Sequence, residues 1–449
     1  MLVNEFGEFI AQTRYKNLPG EVIEVVKLRV LDVLGSALAG YRMGCHKHLL
    51  PILEGAGEAT SWGLGRKFSL RDASLFNSFL SHALYLEDGS RFTGGHPSSV
   101  VIPSTIALAE TQQATGKDLI TAVAVGYEIF LRLGRAIYPS TVQRGFQSTA
   151  VLGAAASASA CANLLQFSAE MAKNSLAIAC SLGVGLKEAL KSSGSQPIQV
   201  ARSCESGIVA ALLAGEGAVG ADSIIENGLF KAFGQDVMTD QILTGLGIKF
   251  HIFETYIKVH GGCRGNHAPV DVVQDVMAKN AIVLEGIGRI VVRVDSVTFA
   301  AEIHTPTNGN EAQFSIAFAV AVALIYGDAS IFQYTDAKVA DTLVHETMLK
   351  IHVEVDKELD KGYPHNRASS VEIQLIDGRR FNGYVANAKG EPEYPFTEEE
   401  IVRKFLTLTK DVLKGGGERV CDLVMRLEEI NDLKVLTSTL KGCREEFQL

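Results

Sequence analysis

One uncharged stretch decides the fold class: residues 145–169 read GFQSTAVLGAAASASACANLLQFSA. Most of these residues are Ala, Ser, Gly, Thr or Asn, so the stretch is too weakly apolar for a lipid environment. Small side chains at this density suit a helix that is pressed closely against other helices. We therefore expect a buried helix of a helical protein here, rather than a membrane span.

The chain before and after this stretch reads as helix after helix up to about residue 250. Apolar residues recur there at intervals of three and four, which is the spacing of one buried helix face. Asp118 follows a break in the pattern and is expected to cap the helix that starts there. In no segment of useful length do apolar and polar residues alternate one by one, as they do in a half-buried strand. The predicted helices cover residues 22–38, 69–86, 101–110, 118–136, 145–165, 169–182 and 203–215.

The pattern changes after about residue 285, where strands are predicted for the first time. Their residues are β-branched or alternate at period two, and Asp377-Gly378 is a hairpin turn signal. A very apolar helix is predicted at residues 315–326, and Thr397-Glu398-Glu399-Glu400 resembles a capping box that opens the last helices. The predicted strands cover residues 289–294, 370–376 and 380–385.

These patterns predict a mainly α protein with an α+β second domain. The chain has 449 residues, more than one hydrophobic core usually spans, so two domains are expected. We expect a helical domain that begins at residues 1–254, an α+β lid domain at residues 255–392, and C-terminal helices at residues 393–449 that return to the helical domain.

The overall charge bears on the class of partner. The formal net charge is −9, which disfavours nucleic acid because binding phosphates requires a basic face. A small anionic substrate remains compatible with this charge, since a few local cations set the potential of a cleft.

The cysteines and the N-terminus bear on the compartment. The seven cysteines are odd in number and repeat no spacing, which indicates reduced thiols rather than a disulfide framework. The first residues lack a basic segment followed by an apolar core, so no signal peptide is indicated. We expect a cytoplasmic protein without a membrane segment. The cysteines are Cys45, Cys161, Cys180, Cys204, Cys263, Cys421 and Cys443.

The densest polar chemistry lies where one apolar helix ends and the next begins, at residues 82–98. Glu87 and Asp88 are adjacent carboxylates, and Arg91 and His96 follow within ten residues. Acid–base catalysis needs titratable groups held together in a partly dry cleft. The alternative is that the two carboxylates only cap or solvate a loop.

Two further segments carry candidate ligands. Arg144 is able to hold a carboxylate in a bidentate pair, with a structural salt bridge as the alternative. Residues 258–267 read KVHGGCRGNH, and His260, Cys263 and His267 resemble a metal set. No fourth ligand is evident, so no metal is expected.

In order and spacing, these motifs resemble the 2-methylcitrate dehydratase (MmgE/PrpD) family, over nearly the full length of the chain. No single motif decides the match. The matching segments are His82-Ala83-Leu84, Glu87-Asp88, His96-Pro97-Ser98, Ile102-Pro103, Gly126-Tyr127-Glu128, Arg144-Gly145-Phe146, Ser206-Gly207, Lys258, Cys263-Arg264, His267, Glu311-Ala312-Gln313-Phe314-Ser315, Asp377-Gly378-Arg379, Gly390-Glu391-Pro392 and Lys404-Phe405.

The resemblance implies cofactor-independent lyase or isomerase chemistry on a small carboxylate, with proton removal next to a carboxylate. It implies a cleft between the two domains and, by analogy, a homodimer. The residues expected to be catalytic are His96, Lys258 and Tyr85. The residues expected to bind substrate are Arg144, Arg264, Gln147, Gln196, Asp88 and His267.

Several positions depart from the family pattern. Tyr85 stands in place of an Asp, Gln147 and Gln199 in place of His, and Gln196 in place of Lys. Fewer cations predict a less anionic substrate, such as a mono- or dicarboxylate. Three interpretations stay open: a dehydratase-like lyase or isomerase with an altered substrate, an epimerase or decarboxylase of the same family, and a non-catalytic binding or assembly protein that keeps the fold.

Overall fold

The computed structural model describes residues 1–54, 56–191 and 194–442. The chain forms two compact units, each made of more than one segment. The helical unit comprises Met1–Ala83, Glu87–Thr255 and Thr397–Leu449, as far as these ranges are described. The mixed unit comprises Tyr256–Phe396 together with the three residues Leu84–Leu86. Cys443 lies outside the described residues.

Most helices in the first part of the helical unit have 11 to 23 residues, whereas the helices at Ser140–Gln143 and Phe230–Phe233 have four residues each. A π-helical turn at Ile224–Leu229 precedes the last helix of its first part. The helices of that part are α1 (Leu2–Gln12), α2 (Gly20–Arg42), α3 (Leu70–His82), α4 (Ser98–Gln112), α5 (Gly116–Ile137), α6 (Ser140–Gln143), α7 (Ser148–Leu164), α8 (Ala169–Cys180), α9 (Ser195–Gly215) and α10 (Phe230–Phe233).

Helix α7 is the centre of this unit, and every one of its residues is buried. It packs against α4, α5, α8 and α9. Small residues allow this close approach: a Cβ atom added at Gly207 of α9 would come within 2.4 Å of Cβ of Ser157. The expected buried helix is confirmed. Within the described ranges, no helix combines the length and apolarity needed to cross a membrane.

Three details of the helical unit differ from expectation. The unit is not entirely helical, because β1 (Ala59–Thr60) pairs antiparallel with β2 (Lys67–Phe68). Strands of two residues are too short to display an alternating pattern. Thr115 is the N-cap of α5, and Asp118 completes its capping box from the third helical position.

The third difference is the end of α3, which stops at His82 although the apolar pattern runs on to Leu86. Leu84 and Leu86 are buried in the mixed unit instead. Apolar periodicity reports that a side chain is buried, and does not report which core buries it.

The mixed unit contains one four-stranded sheet of order β4-β3-β5-β6. β3 (Ile287–Val294) is parallel to β4 (Ile351–Val355) and antiparallel to β5 (Ser369–Leu375). β5 and β6 (Arg380–Val385) form the hairpin that Asp377-Gly378 predicted, which confirms that prediction. The helices of this unit are α11 (His267–Asn280), α12 (Ser296–Phe299), α13 (Gly309–Ala312), α14 (Ile316–Tyr326), α15 (Asp336–Val339), α16 (Thr342–Met348) and α17 (Lys357–Asp360).

One helix covers a face of this sheet. A Cβ atom added at Gly383 of β6 would come within 2.5 Å of Val276 and 2.7 Å of Val272, both on α11. The side chains of β5 alternate between buried and half-buried positions, as expected for a strand with one covered face. The predicted mainly α fold with a smaller α+β part is thus confirmed.

The C-terminal segment of the helical unit carries α18 (Glu398–Leu413), α19 (Gly417–Met425) and α20 (Lys434–Thr437). Thr397 and Glu400 form the predicted capping box, in which Glu400 Oε2 accepts a 2.8 Å bond from the Thr397 amide. α18 packs against α2, so both ends of the chain contribute to one helical core.

Candidate active site

Two histidines share one carboxylate in the helical unit. His82 is the last residue of α3, and His96 lies just before α4. Nδ1 of His82 hydrogen-bonds to Oε1 of Glu87, and Nδ1 of His96 lies 3.6 Å from the same oxygen. His82 and Glu87 are fully buried, and the two imidazole rings are 5.3 Å apart. A proton carried by either ring is therefore stabilised by the same negative charge.

The hydrogen bonds of His96 fix which ring nitrogen carries the proton. Nδ1 lies 2.6 Å from the backbone carbonyl oxygen of Asp88, which can only accept. Nδ1 of His96 therefore donates, and Nε2 of the neutral ring is the proton acceptor. The His96 amide donates to Thr149 Oγ1 at 3.0 Å, which holds the backbone in place. This is the geometry of an oriented general base.

Asp88 anchors this arrangement from inside the helical core. Its carboxylate accepts hydrogen bonds from the Tyr127 hydroxyl at 2.9 Å and the Ser98 amide at 3.2 Å, and Arg29 Nε lies 3.6 Å away. Burial raises the pKa of Asp88 to about 6, while Arg29 and the two hydrogen bonds oppose the rise. A fully buried carboxylate with these partners holds its neighbours in position.

Of the glutamines at departing positions, Gln196 joins this group. It is the second residue of α9, and its Nε2 lies 3.0 Å from Nε2 of His82. Gln147 is the N-cap of α7, where Oε1 accepts a 2.5 Å bond from the Ala150 amide. Gln199 binds the backbone of Leu186. We refer to His82, Glu87, Asp88, His96 and Gln196 as the His96 cluster.

Arg144 lies outside the His96 cluster. It is exposed, and its guanidinium donates to the carbonyl oxygens of Ala232 at 2.7 Å and Gly234 at 3.0 Å. It also lies over the ring of Phe146. In this structure Arg144 joins the end of α6 to the end of α10, and neither of these hydrogen bonds is to a carboxylate.

Within the mixed unit, Lys258 and Tyr85 are brought together. Lys258 is buried, and its ammonium donates to the backbone carbonyl of Tyr85. Tyr85 adopts φ = +52°, a left-handed conformation that is uncommon for a large side chain. Its ring packs edge-on against Phe314, with centroids 5.9 Å apart. Non-glycine residues held in the left-handed region cluster at functional sites.

Arg264 is saturated by acceptors of the mixed unit. Nε donates to Glu391 at 2.8 Å, and Nη1 lies 3.0 Å from Nδ1 of His267. The remaining guanidinium donors reach the carbonyls of Ala388 and Lys389. With all five donors used, Arg264 orients His267 and has no donor left for a substrate carboxylate.

The histidines near Cys263 have protein partners. Nε2 of His260 lies 2.8 Å from Asp271, and Nδ1 of His267 faces Arg264. Across the described ranges, no group of three His, Cys, Asp or Glu side chains is arranged to hold a metal ion.

Sequence reasoning missed three charged residues that support the cluster. Arg29 pairs with Asp88, and Asp32 accepts a 2.6 Å bond from Lys404. Burial raises the pKa of Asp32, opposed by Lys404. The available signal was the presence of Arg29 and Asp32 inside an apolar helical pattern, where an uncompensated charge is expensive.

Comparison with known proteins places the chain in a family. The MmgE/PrpD N-terminal domain model matches residues 4–241, and the MmgE/PrpD C-terminal domain model matches residues 260–428. The cis-aconitate decarboxylase-like protein oryM of Aspergillus oryzae is 25% identical over 469 aligned residues, which cover 98% of this chain and 97% of that protein.

Two further relatives are both named cis-aconitate decarboxylase. The cis-aconitate decarboxylase of Aspergillus terreus is 26% identical, covering 98% of this chain and 96% of that protein. The cis-aconitate decarboxylase of Homo sapiens is 24% identical, covering 98% and 95%. Because both family models match in order and together span most of the sequence, this chain belongs to the MmgE/PrpD family.

Proposed function

We propose that this protein is a lyase or isomerase that acts on a small carboxylate by moving a proton at the carbon next to a carboxylate group. The observation that carries the proposal is the tautomer of His96: Nδ1–H donates to the Asp88 carbonyl, so the lone pair of the neutral ring lies on Nε2. The carboxylate of Glu87, 3.6 Å from Nδ1, stabilises the imidazolium that forms.

The chemistry follows from this one proton transfer. Nε2 of His96 takes the proton, and the electrons of the C–H bond form an enediolate. In a dehydration, the C–O bond on the neighbouring carbon then breaks, and hydroxide leaves with a proton as water. In an isomerisation, the carbon is reprotonated from its other face. Each outcome starts with the same base.

Decarboxylation is the second candidate, favoured by the names of the relatives, which are cis-aconitate decarboxylases. For this reaction His96 must enter as the imidazolium: the C–C bond to a carboxylate breaks, carbon dioxide leaves, and the electrons left on the carbon take the proton from His96 Nε2. The relatives therefore favour a carboxy-lyase over the carbon–oxygen lyase that the sequence resemblance suggested.

Two residues of the mixed unit are assigned roles in the proposed reaction. Lys258 binds a substrate carboxylate, since it is a buried ammonium group. Tyr85 donates a proton to the leaving group from its phenol. Arg264 and Asp88 position His267 and His96 respectively, and substrate binding by Arg144 and Gln147 stays a prediction.

The proposed substrate is a mono- or dicarboxylate, for an electrostatic reason. Asp88 pairs with Arg29 and Asp32 pairs with Lys404, so the charges of these two cations are already balanced by buried carboxylates of the protein. Such a balance does not attract several more negative charges.

Proton NMR in D2O tests the proposal with a panel that includes cis-aconitate, 2-methylcitrate, iminodisuccinate and simpler hydroxy- and unsaturated dicarboxylates. We expect turnover, or deuterium uptake next to a carboxylate, by the wild-type protein. His96→Gln should lose at least about 10²-fold of that rate, the usual contribution of a general base.

His48→Gln is the matched control, because His48 is exposed and lies outside the cluster. Its rate should equal that of the wild type. A folded wild-type protein that neither turns over nor labels any acid would overturn the catalytic proposal and favour a non-catalytic binding protein. An unchanged rate in His96→Gln would remove His96 from the mechanism.

A further inference from the structure

The side-chain amide of Gln196 makes a hydrogen bond through its NH2 group, and its carbonyl oxygen makes none to the residues that the structure describes. Gln196 is buried, with 4% of its surface exposed, and its Nε2 lies 3.0 Å from Nε2 of His82. Its Oε1 is also buried and has no hydrogen-bond partner among the residues that the structure describes. A buried carbonyl oxygen without a donor is rare in folded proteins, because water or a protein group normally satisfies it. Oε1 of Gln196 can therefore accept a hydrogen bond from a donor that the described residues do not supply.

The orientation of this amide is set by Glu87 through His82. A carboxylate oxygen can only accept, so the hydrogen bond between Glu87 Oε1 and His82 Nδ1 places the proton on Nδ1. In the neutral ring, Nε2 of His82 is then an acceptor. Only the NH2 group of Gln196 can donate to it, and turning the amide over would bring two acceptors together. Oε1 of Gln196 therefore stays available.

We propose that Gln196 determines substrate specificity by accepting, at Oε1, a hydrogen bond from an uncharged donor of the substrate such as a hydroxyl group. The inference rests on the proposed function, since it concerns the ligand of the same cluster. A carboxylate at this position would face the partial negative charge of Oε1, with the carboxylate of Glu87 on the other side of His82. A hydroxyl group there gains a hydrogen bond and brings no charge.

Pairs of acids that differ only by one hydroxyl group test the proposal. Malate is compared with succinate, and citrate with propane-1,2,3-tricarboxylate, by calorimetric titration of the wild-type protein. One neutral hydrogen bond to a buried acceptor changes affinity by about tenfold, so the hydroxylated member of at least one pair should bind about tenfold more tightly. Gln196→Met, which keeps the length of the side chain but removes the acceptor, should abolish the difference.

Gln199→Met is the matched control, because Gln199 lies on the same helix and its amide binds the Leu186 backbone. It should keep the preference for the hydroxylated acid. Gln196→Glu supplies a second variant: His82 takes up a proton at Nε2 and donates it to one carboxylate oxygen, and the other oxygen remains an acceptor that carries negative charge. It should keep the preference while weakening the binding of every acid, which separates loss of the acceptor from any loss of folding in Gln196→Met.

Three outcomes would overturn the proposal: equal affinity for both members of each pair, no binding of any hydroxylated acid, or an unchanged preference in folded Gln196→Met. The D2O experiment on proton exchange tests the proposed function, and its result does not depend on these binding measurements. A hydroxyl preference without exchange would leave Gln196 as the specificity residue of a binding site. Exchange without a hydroxyl preference would remove only the role of Gln196.

Discussion

The backbone carbonyl of Asp88 accepts a 2.6 Å hydrogen bond from Nδ1 of His96, while the carboxylate of the same residue is fully buried in the helical core. One residue thus joins the proposed base to the scaffold. The carboxylate is held by Tyr127 of α5 and by the first amide of α4, at Ser98. The orientation of His96 therefore depends on the packing of these two helices.

The buried carboxylate of Asp88 makes stability depend on pH. Its pKa is about 6 in the folded protein, above the ordinary value of 3.8 that applies to the unfolded chain. The folded state therefore binds the proton more tightly, and the free energy of unfolding falls as pH rises from about 4 to about 6. Each pH unit between the two values is worth about 1.4 kcal/mol, which limits the loss to about 3 kcal/mol. Asp88→Asn cannot ionise and should show a shallower decline.

Urea unfolding at several pH values measures this slope, with the single tryptophan, Trp62, as a buried reporter in the helical unit. Slopes are compared rather than absolute stabilities, because Asp32 also has a raised pKa and acts in the same direction. Asp377→Asn is the control: Asp377 is exposed and its pKa is lowered, so the slope between pH 4 and 6 should not change. Equal slopes in Asp88→Asn and wild type would contradict the prediction.

The sequence indicated much of the fold because local patterns carry it. The charge-free residues 145–169 predicted α7, and the alternation before Asp377-Gly378 predicted β5 and its hairpin. The end of α3 was predicted wrongly because Leu84 and Leu86 continue the apolar pattern of one unit while they are buried in another. The assignment of an apolar side chain to one of two cores is a long-range property.

The candidate site was only partly predictable, for a related reason. His96 belongs to a short polar motif, so it was selected. Lys404 lies 372 residues from the Asp32 that it binds, and no local pattern connects the two. Arg144 was expected to bind substrate on the strength of its motif, and its Nη1 group donates to backbone carbonyls about 90 residues away, which no local pattern predicts. Hydrogen-bond partners distant in the chain decide whether an arginine is available.

The buried pair of Arg264 and Glu391 offers a second prediction. Glu391→Ala leaves the guanidinium without its counter-ion, and removing one partner of a buried pair costs about 3–5 kcal/mol. Replacing both residues by Met should cost less than the sum of the two single replacements by Met, since no buried charge remains. Hydrogen exchange in α11, which begins at His267, measures the effect within the mixed unit.

The control for this comparison of single and double variants is the exposed pair of Arg379 and Asp377. Replacing either residue should change stability by less than about 1 kcal/mol, as is usual for surface ion pairs. Additive effects for Arg264 and Glu391 would show that the two side chains are not energetically coupled.

The close contact of α7 and α9 gives a third prediction. A Cβ atom at Gly207 would lie 2.4 Å from Cβ of Ser157 and 2.7 Å from the amide nitrogen of Ala158, so the helices must separate. Gly207→Ala should therefore destabilise the helical unit by about 1–3 kcal/mol, although alanine favours helix. Trp62 fluorescence during urea unfolding measures the change. Gly20→Ala is the control, since a Cβ atom there meets nothing within 4 Å; a loss of equal size at both positions would contradict the packing argument.

The phenol of Tyr85 is the proposed acid, and Tyr85→Phe tests it with little disturbance of the fold. Phenylalanine keeps the ring that packs against Phe314 and adopts the same φ of +52°, so stability should change by less than about 1 kcal/mol. Product formation should fall by about 10²-fold, because the leaving group is no longer protonated. Deuterium uptake next to the carboxylate should persist, since His96 still removes that proton.

This separation of exchange from product formation distinguishes the acid from a residue that only shapes the fold. A structural loss would lower both rates together, and so would a weaker hold on the substrate. Tyr394→Phe, at an exposed tyrosine, should leave both rates unchanged. Full product formation in Tyr85→Phe would exclude the phenol as the acid, and the proton for the leaving group would then have to come from another group, such as the imidazolium of His96 itself.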